Sequence, residues 1–288
     1  MLLDFLLFRH LRVARARLMR HFHKRRAQAP GFEAQPVVGH YRVPMWPDWG
    51  DRTFAYCHYG TYGDYLPDVL AQIDAPFAFV DIGANQGLFS LVASRNPNCR
   101  RIVAMEPVPR TFAKLQANLA LSEIGEAAQA LNAALADHAG SAEIALKPEH
   151  SGAASLREGT EFGGASQSIR LFSIAELDPH LPDDLPLFIK IDIEGYEPVA
   201  IEQLLHSRHA DNIVAIFYEM DERWSDAEAV TEMLRKAGFD HSTKFGIGRH
   251  YDILCTRSPV SEDWWTIEEP REELAQSLAE TPRSRAIN

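Results

Sequence analysis

The sequence has few cysteines and no long apolar run. Its three cysteines, Cys57, Cys99 and Cys255, are widely separated, and no two of them form a CxxC pair. This spacing indicates neither a disulfide framework nor a zinc knuckle, and it suits a reducing compartment. The chain also lacks the run of about 18–20 apolar residues that a helix needs to cross a bilayer. We therefore expect a cytoplasmic protein without a membrane-spanning helix.

Positive charge is scarce outside the first thirty residues. The formal net charge is -11, yet residues 1–30 hold eight lysines and arginines against a single acid, so that this segment carries +7 and the rest of the chain -18. An acidic body repels phosphate backbones. We therefore expect no nucleic acid among the partners.

Residues 1–28 have the pattern of a basic amphipathic helix. With helical periodicity, one stripe contains Leu3, Leu7, Leu11, Ala14, Leu18 and Phe22, and arginine and lysine surround it. This pattern is typical of a helix in a membrane interface, which would place the protein peripherally at the inner membrane face. A helix that docks on a partner or on the protein's own body has the same pattern, and the sequence leaves both alternatives open.

Short β-rich apolar runs alternate with helical stretches between residues 63 and 257. The predicted strands are 77–83, 101–106, 128–134, 187–193 and 213–218, and the predicted helices are 64–73, 88–94, 110–121, 198–205 and 226–237. This alternation predicts an α/β fold with a doubly wound, mostly parallel sheet. The runs 239–245 and 250–256, divided by GIGR, predict a C-terminal β-hairpin.

Three further segments interrupt or flank this pattern. Residues 29–62 predict a connector between the helix and the α/β domain, because they are rich in Pro, Gly and aromatics. Residues 141–146 and 168–172 predict two extra strands around a Gly/Ser-rich insertion. The acidic residues 258–288 predict a flexible tail.

The stretch FVDIGANQG predicts a ligand site, because it reads as a strand that ends in a glycine-containing turn at the carboxyl edge of the sheet. It lacks the third glycine of GxGxxG, the pattern that places a pyrophosphate on a helix N-terminus. Asp81 precedes the turn, and it would suit a cationic ligand such as S-adenosylmethionine. Glu106, at the end of the next strand, is placed to accept hydrogen bonds from ribose hydroxyls. The pattern favours S-adenosylmethionine, with an NAD-dependent oxidoreductase as the alternative.

The stretch LFIKIDIEGYE places charges in a buried strand. Period-two geometry puts Lys190, Asp192 and Glu194 on the face opposite the isoleucines. Gly195 then suits a tight turn, so we expect the acids to lie over the cleft. Lys190 is expected to pair with a carboxylate, because an isolated buried ammonium is costly. An edge strand with one wet face is the alternative.

Five segments together resemble the FkbM-type methyltransferases. They are FVDIGANQGLFS, MEPVPRTFAKLQANL, LNAALADHAGSAEI, HSGAASL and IKIDIEGYE, in that order over about residues 77–218. The resemblance implies a class I, Rossmann-like methyltransferase fold and S-adenosylmethionine-dependent O-methylation of a hydroxyl on a small molecule, a sugar or a lipid-linked glycan. A noncatalytic relative that binds adenosylmethionine is an alternative.

The resemblance also implies residue roles. The cofactor-binding positions are Asp81, Gly83, Asn85, Gly87, Glu106 and Asn132, the last near the adenine. The catalytic positions are Asp192, Glu194, His150 and Lys190, with Ser151 on the acceptor side. Asp192 or Glu194 would take the proton of the acceptor hydroxyl or orient it, and His150 is a rival base. A magnesium ion held by Asp192 and Glu194 is a further alternative.

Overall fold

The structure is a computed structural model that describes residues 2–63, 65–147, 149–153, 166–246 and 248–257, with the backbone alone for residues 2–12. The predicted acidic tail and most of the Gly/Ser-rich insertion lie outside the described residues. The described helices are α1 (Leu2–Ala27), α2 (Arg52–Tyr59), α3 (Leu66–Ala71), α4 (Leu88–Ser94), α5 (Pro109–Leu119), α6 (Ile174–Leu177), α7 (Glu197–Leu205) and α8 (Ala227–Lys236). The described strands are β1 (Val37–Val38), β2 (Pro44–Met45), β3 (Phe77–Ile82), β4 (Cys99–Met105), β5 (Ala128–Leu131), β6 (Ala134–Leu135), β7 (Gly140–Ala145), β8 (Ser166–Phe172), β9 (Leu187–Ile191), β10 (Ile213–Asp221), β11 (His241–Phe245) and β12 (His250–Thr256).

The main sheet is mostly parallel, as predicted. In the described residues its strand order is β11-β12-β10-β9-β3-β4-β5. The five strands from β10 to β5 are parallel, and β12 runs antiparallel to both β10 and β11. The chain builds β3, β4 and β5 in one direction and then adds β9 and β10 on the other side of β3. The order therefore reverses between β3 and β9, where open α/β sheets bind their ligands.

Both faces of the sheet are covered, which confirms the doubly wound arrangement. Every residue of β3 is buried, with Phe77 and Phe79 on one face and Ala78 and Val80 on the other. Helices α3, α4 and α5 pack on the first face, and α7 and α8 pack on the second. This double burial explains why the first four residues of β3, FAFV, are a continuous apolar run instead of an alternating one.

The predicted connector contains a packed helix, α2. Asp51 caps this helix by accepting a hydrogen bond from the Thr53 amide at 2.9 Å, and Gly60 ends it in the left-handed region at φ 64°. Phe54 and Cys57 are buried in the same core as α3 and α4. The sequence RTFAYCHY has weak helix propensity, so burial of one face stabilises α2 where periodicity alone did not predict it.

Two strands of the main sheet end two or more residues earlier than predicted. Strand β9 stops at Ile191, because the Glu197 carboxylate accepts hydrogen bonds from the amides of Ile193 and Gly195, at 3.0 and 3.1 Å, and folds the chain into a turn. Strand β5 stops at Leu131, and the following β6 joins a separate sheet of order β6-β8-β7. The predicted extra strands, β7 and β8, form this small sheet.

Candidate functional site

The turn after β3 is built on glycine. Gly83 has φ 78°, and a Cβ atom there would lie 2.0 Å from the backbone oxygen of Asp192. The amides of Gly83 and Ala84 both donate to the Met105 carbonyl, at 3.0 and 2.8 Å. The turn therefore joins the ends of β3, β4 and β9, and only glycine allows the backbone of Asp192 to approach so closely.

Lys190 links the strand ends from inside the sheet. Its Nζ atom lies 3.1 Å from Asp81 Oδ1 and 3.7 Å from Asp192 Oδ2, and it donates to the Gly83 carbonyl at 2.8 Å. Burial disfavours the ammonium, but the Asp81 and Asp192 carboxylates outweigh it and raise the pKa of Lys190. The predicted pairing of Lys190 with a carboxylate is therefore confirmed.

Glu106 closes the same turn from β4. Its carboxylate accepts hydrogen bonds from the Asn85 amide at 3.1 Å and the Val108 amide at 2.9 Å. Burial nevertheless raises the pKa of Glu106 to about 7. Each carboxylate oxygen keeps a lone pair beyond the amide that it accepts, so Glu106 can also accept from a hydroxyl in the cleft.

The acidic turn after β9 forms another side of the cleft. Tyr62 donates a hydrogen bond from its hydroxyl to the Asp192 carboxylate. Glu194 has φ 56°, in the left-handed region, directly before Gly195. Burial, and then the negative charges of Asp192 and Glu219, raise the pKa of Glu194 to about 8.

The loop that contains His150 and Ser151 covers the glycine turn. Ser151 Oγ donates to the Asn85 side chain at 3.0 Å, and its amide reaches Asp51 Oδ1 at 3.3 Å. His150 Nδ1 is buried and has no hydrogen-bond partner in the described part of the chain. Burial, and then the charge of Lys147, lower the pKa of His150, so its ring is neutral at neutral pH and can accept a proton.

A single cleft brings most of the predicted residues together. Seven of the ten line it, namely Gly83, Asn85, Glu106, His150, Lys190, Asp192 and Glu194. Asp81 is not in the cleft wall, because its carboxylate points to Lys190 and to Ser90 Oγ, which donates to it at 2.7 Å. Gly87 begins α4, outside the wall. Asn132 also lies outside it, because its amide donates to the carbonyls of Glu106 and Pro107; Ala133, Ala134 and Leu135 line the cleft in its place.

Several cleft residues were not predicted from the sequence. Tyr56 and Tyr62 come from the segment predicted as a connector, and Glu219 and His250 come from β10 and β12. His250 Nε2 lies 2.7 Å from Glu219 Oε1, and this hydrogen bond raises the pKa of His250 to about 9. Glu219 was detectable, because it is an acid near the carboxyl end of a predicted parallel strand, as Glu106 is. Asp51 lies outside the cleft wall but contacts Gln86 and Ser151, which line it, and the sequence did not predict these contacts because they join residues distant along the chain.

The described residues contain no group of three or more His, Cys, Asp or Glu side chains placed to hold a metal ion. Asp192 instead accepts from Tyr62 and lies near Lys190. The donor set around Asp192 and Glu194 therefore gives the suggested magnesium ion no support.

Known proteins resemble the chain in sequence and, more distantly, in structure. The family model for the methyltransferase FkbM domain matches residues 81–240. Methyltransferase sdnD of Sordaria araneosa is 27% identical over an alignment of 207 residues, and the match covers 62% of this chain and 79% of that protein. The precorrin-6y C5,15-methyltransferase of Geobacter metallireducens is 15% identical, with a TM-score of 0.40 over 67% of this chain and 89% of that one. An O-methyltransferase from Bacillus cereus in complex with SAH is 11% identical, with a TM-score of 0.38 over 67% and 77% of the two chains.

The strand order, with β12 as an antiparallel insertion beside β10, and the site at the ends of β3, β4 and β9 are those of a class I methyltransferase. The family match covers more than half of the chain. The chain therefore belongs to the FkbM methyltransferase family.

The family implies S-adenosylmethionine as the cofactor, and the residues of the cleft fit it. Ala133, Leu135 and Ile144 form an apolar wall suited to an adenine, beside Glu106 for the ribose. Gln86 is buried and lines the cleft, and its Oε1 atom has no hydrogen-bond partner among the described residues, so that it can accept from an ammonium group. The Asp192 carboxylate adds negative charge to the same cleft, which suits a cationic cofactor.

Proposed function

We propose that the chain transfers the methyl group of S-adenosylmethionine to a hydroxyl oxygen of a small molecule or a glycan, which can be lipid-linked. One observation carries the proposal. Three side chains that can accept a proton, Asp192, Glu194 and His150, line the same cleft as the glycine turn and Glu106. A hydroxyl is a poor nucleophile until its proton leaves, so an acceptor side rich in bases suits oxygen as the acceptor atom.

The cofactor side of the cleft binds and orients. When bound, S-adenosylmethionine supplies a methyl group that its sulfonium has already activated. Glu106 would accept hydrogen bonds from the ribose hydroxyls, and Gln86 Oε1 would accept one from the ammonium group. These contacts fix the direction of the methyl group, and alignment accounts for much of the rate of such a transfer.

The acceptor side must remove a proton. Glu194 suits this role, because its pKa of about 8 lies close to neutral pH, where a general base works best. Asp192 is held by Tyr62 and lies near Lys190, so it is better placed to orient the hydroxyl. His150, whose Nδ1 atom has no hydrogen-bond partner among the residues that the structure describes, is the rival base.

The sequence of the fourth parallel strand also favours oxygen. Enzymes that methylate amino groups of nucleic acids usually have Asn or Asp, then Pro-Pro and an aromatic at this strand end. This chain has Asp192-Ile193-Glu194-Gly195 there instead. In addition, the net charge of -18 outside residues 1–30 opposes a nucleic acid substrate.

Two measurements test the proposal. Equilibrium dialysis with labelled S-adenosylmethionine and labelled NAD should show binding of the first alone, and Glu106→Gln should weaken it while the surface variant Glu232→Gln should not. Incubation with hydroxyl-bearing sugars and polyketides, using an isotope-labelled methyl group, should then give a product whose NMR spectrum places the label on oxygen. A label on nitrogen or carbon would refute O-methylation. Cofactor binding without transfer to any acceptor would indicate a noncatalytic relative.

A further inference from the structure

Helix α1 docks on the body of the protein through one face. Ala16 is 2% exposed, Arg20 Nη2 donates to the Gly50 carbonyl at 2.5 Å, and the ring of His23 stacks on Trp49 with centroids 4.2 Å apart. These positions follow one another at intervals of three or four residues, so they lie on one side of the helix. The predicted docking on the protein's own body is therefore present, but the contacts do not use the apolar stripe that the sequence predicted.

The predicted stripe lies on the opposite side and is exposed. Leu18 and Phe22 are 60% and 59% exposed. At 3.6 residues per turn they lie roughly 200° and 240° around the helix from Ala16. Arg15, Arg17 and Arg25 are also exposed and flank them. We call this surface, formed by Arg15, Arg17, Leu18, Phe22 and Arg25, the outer face of α1.

The composition of the outer face distinguishes it from an ordinary solvated helix surface. Single exposed apolar residues are normal, but here two large ones lie one turn apart among arginines. In the sequence the same apolar period continues through Leu11, Leu7 and Leu3. The charge is also segregated, because residues 1–30 carry +7 and the remainder carries -18.

We infer that the outer face of α1 binds the surface of an anionic lipid bilayer. Leu18 and Phe22 would enter the boundary between headgroups and acyl chains, and the flanking arginines would lie at the phosphates. An anionic surface attracts α1 and repels the acidic body, so the charge segregation orients the protein with α1 towards the lipid. No helix in the described ranges is long and apolar enough to cross a membrane, and the contact proposed is parallel to the surface.

The docked face of α1 connects this surface to the cleft. Arg20 and Lys24 form ion pairs with Glu149, at 3.3 and 2.8 Å, and the next residue, His150, lines the cleft. The helix that meets the lipid therefore also holds the loop beside the proposed acceptor site. The lipid contact does not depend on the proposed methyl transfer, and binding to vesicles can be measured without an acceptor.

Vesicle flotation of the whole chain tests the inference. The protein should float with vesicles of phosphatidylcholine and phosphatidylserine, and not with phosphatidylcholine alone, and high salt should weaken the binding. The variants Leu18→Gln/Phe22→Gln and Arg17→Glu/Arg25→Glu should each lower the partition coefficient by about tenfold or more. Trp224→Gln is the matched control, since Trp224 is 50% exposed on the loop after β10, and its binding should equal that of the wild type.

Thermal unfolding by circular dichroism accompanies each variant, and an unchanged midpoint shows that the outward side chains were replaced without loss of the fold. Failure of the wild type to float with phosphatidylserine vesicles would overturn the inference, as would equal flotation of the Leu18→Gln/Phe22→Gln variant. A dimer in light scattering that this variant dissociates, without vesicle binding by the wild type, would assign the outer face to a second copy of the chain instead.

Discussion

Lys190 of β9 and Asp81 of β3 form a buried ion pair between directly paired positions of neighbouring strands. The Nζ and Oδ1 atoms are 3.1 Å apart, and the side chains are 4% and 0% exposed. Because Lys190 also donates to the Gly83 carbonyl and Asp81 accepts from Ser90, the pair fixes the glycine turn to strands β3 and β9 and to helix α4. The ion pair therefore holds the strand ends where the cleft opens, although the Asp81 carboxylate does not line the cleft itself.

Removing one partner of this pair should destabilise the fold strongly. Lys190→Met leaves the Asp81 carboxylate buried without its cation, and we expect the free energy of unfolding in urea to fall by about 3–5 kcal/mol. The double variant Asp81→Asn/Lys190→Met removes both charges and should recover much of the loss. Lys236→Met is the control, because its pair with Glu232 is exposed, and its stability should not change. A single variant as stable as the wild type would contradict the buried pair.

The sequence predicted that Lys190 pairs with a carboxylate, but it did not predict which carboxylate. A lysine inside an apolar strand needs a carboxylate, and that requirement is visible in the residues. The neighbour of Lys190 depends on which strands pair and in what register, which the residues of one strand do not determine. Asp81 was accordingly predicted to face the cofactor, although its carboxylate is turned to Lys190 and Ser90.

The α/β alternation was the most predictable feature, because buried parallel strands and their helices have distinct apolar patterns. Helix α4 and strand β12 were predicted with the bounds that the structure has. Helix α2 was not predicted as a helix, because tertiary burial and the Asp51 cap stabilise it in a sequence with little helix propensity. The cleft residues that this helix carries, Thr53, Tyr56 and Cys57, were missed for the same reason.

Gly83 should tolerate no side chain. In Gly83→Ala the new Cβ would lie 2.0 Å from the Asp192 backbone oxygen, at a φ of 78° that alanine disfavours. We expect a loss of about 2–4 kcal/mol in the free energy of unfolding, together with weaker binding of S-adenosylmethionine. Gly238→Ala separates the two causes, because Gly238 has φ 85° but nothing within 4 Å of the added atom. Equal losses in the two variants would mean that the contact with Asp192 contributes nothing.

Stability should fall as the pH rises above neutral. Burial raises the pKa of Glu106 and Glu197 to about 7 and that of Glu194 to about 8, from an ordinary value of 4.5. Between the ordinary pKa of 4.5 and these raised values, the folded protein binds more protons than the unfolded chain, so raising the pH favours unfolding. The raised pKa of His250, about 9, acts in the same direction. The lowered pKa of His150 acts in the opposite direction only below its ordinary value of 6.5.

Urea unfolding between about pH 6.5 and about pH 8.5 measures this effect, and we expect the free energy of unfolding to fall by roughly 4 kcal/mol. Glu194→Gln should reduce the slope by about half, because it removes the carboxyl group with the highest of these pKa values. Glu232→Gln, on the exposed surface of α8, should leave the slope unchanged. Stability that rises with pH over this range would contradict the protonated state of the buried carboxyl groups.

The identity of the general base can be read from the pH dependence of methyl transfer. If Glu194 takes the proton, the rate should rise to a plateau above the pKa of Glu194, about 8. Glu194→Gln should lower kcat by about 10²–10⁴-fold and abolish that rise, with binding of S-adenosylmethionine retained. Asp192→Asn should mainly raise KM, because its proposed role is to orient the hydroxyl.

Activity of the wild type should be the same with and without EDTA. Loss of the rise in His150→Ala instead of Glu194→Gln would make His150 the base. Full activity in all three variants would mean that the acceptor hydroxyl does not bind beside these residues.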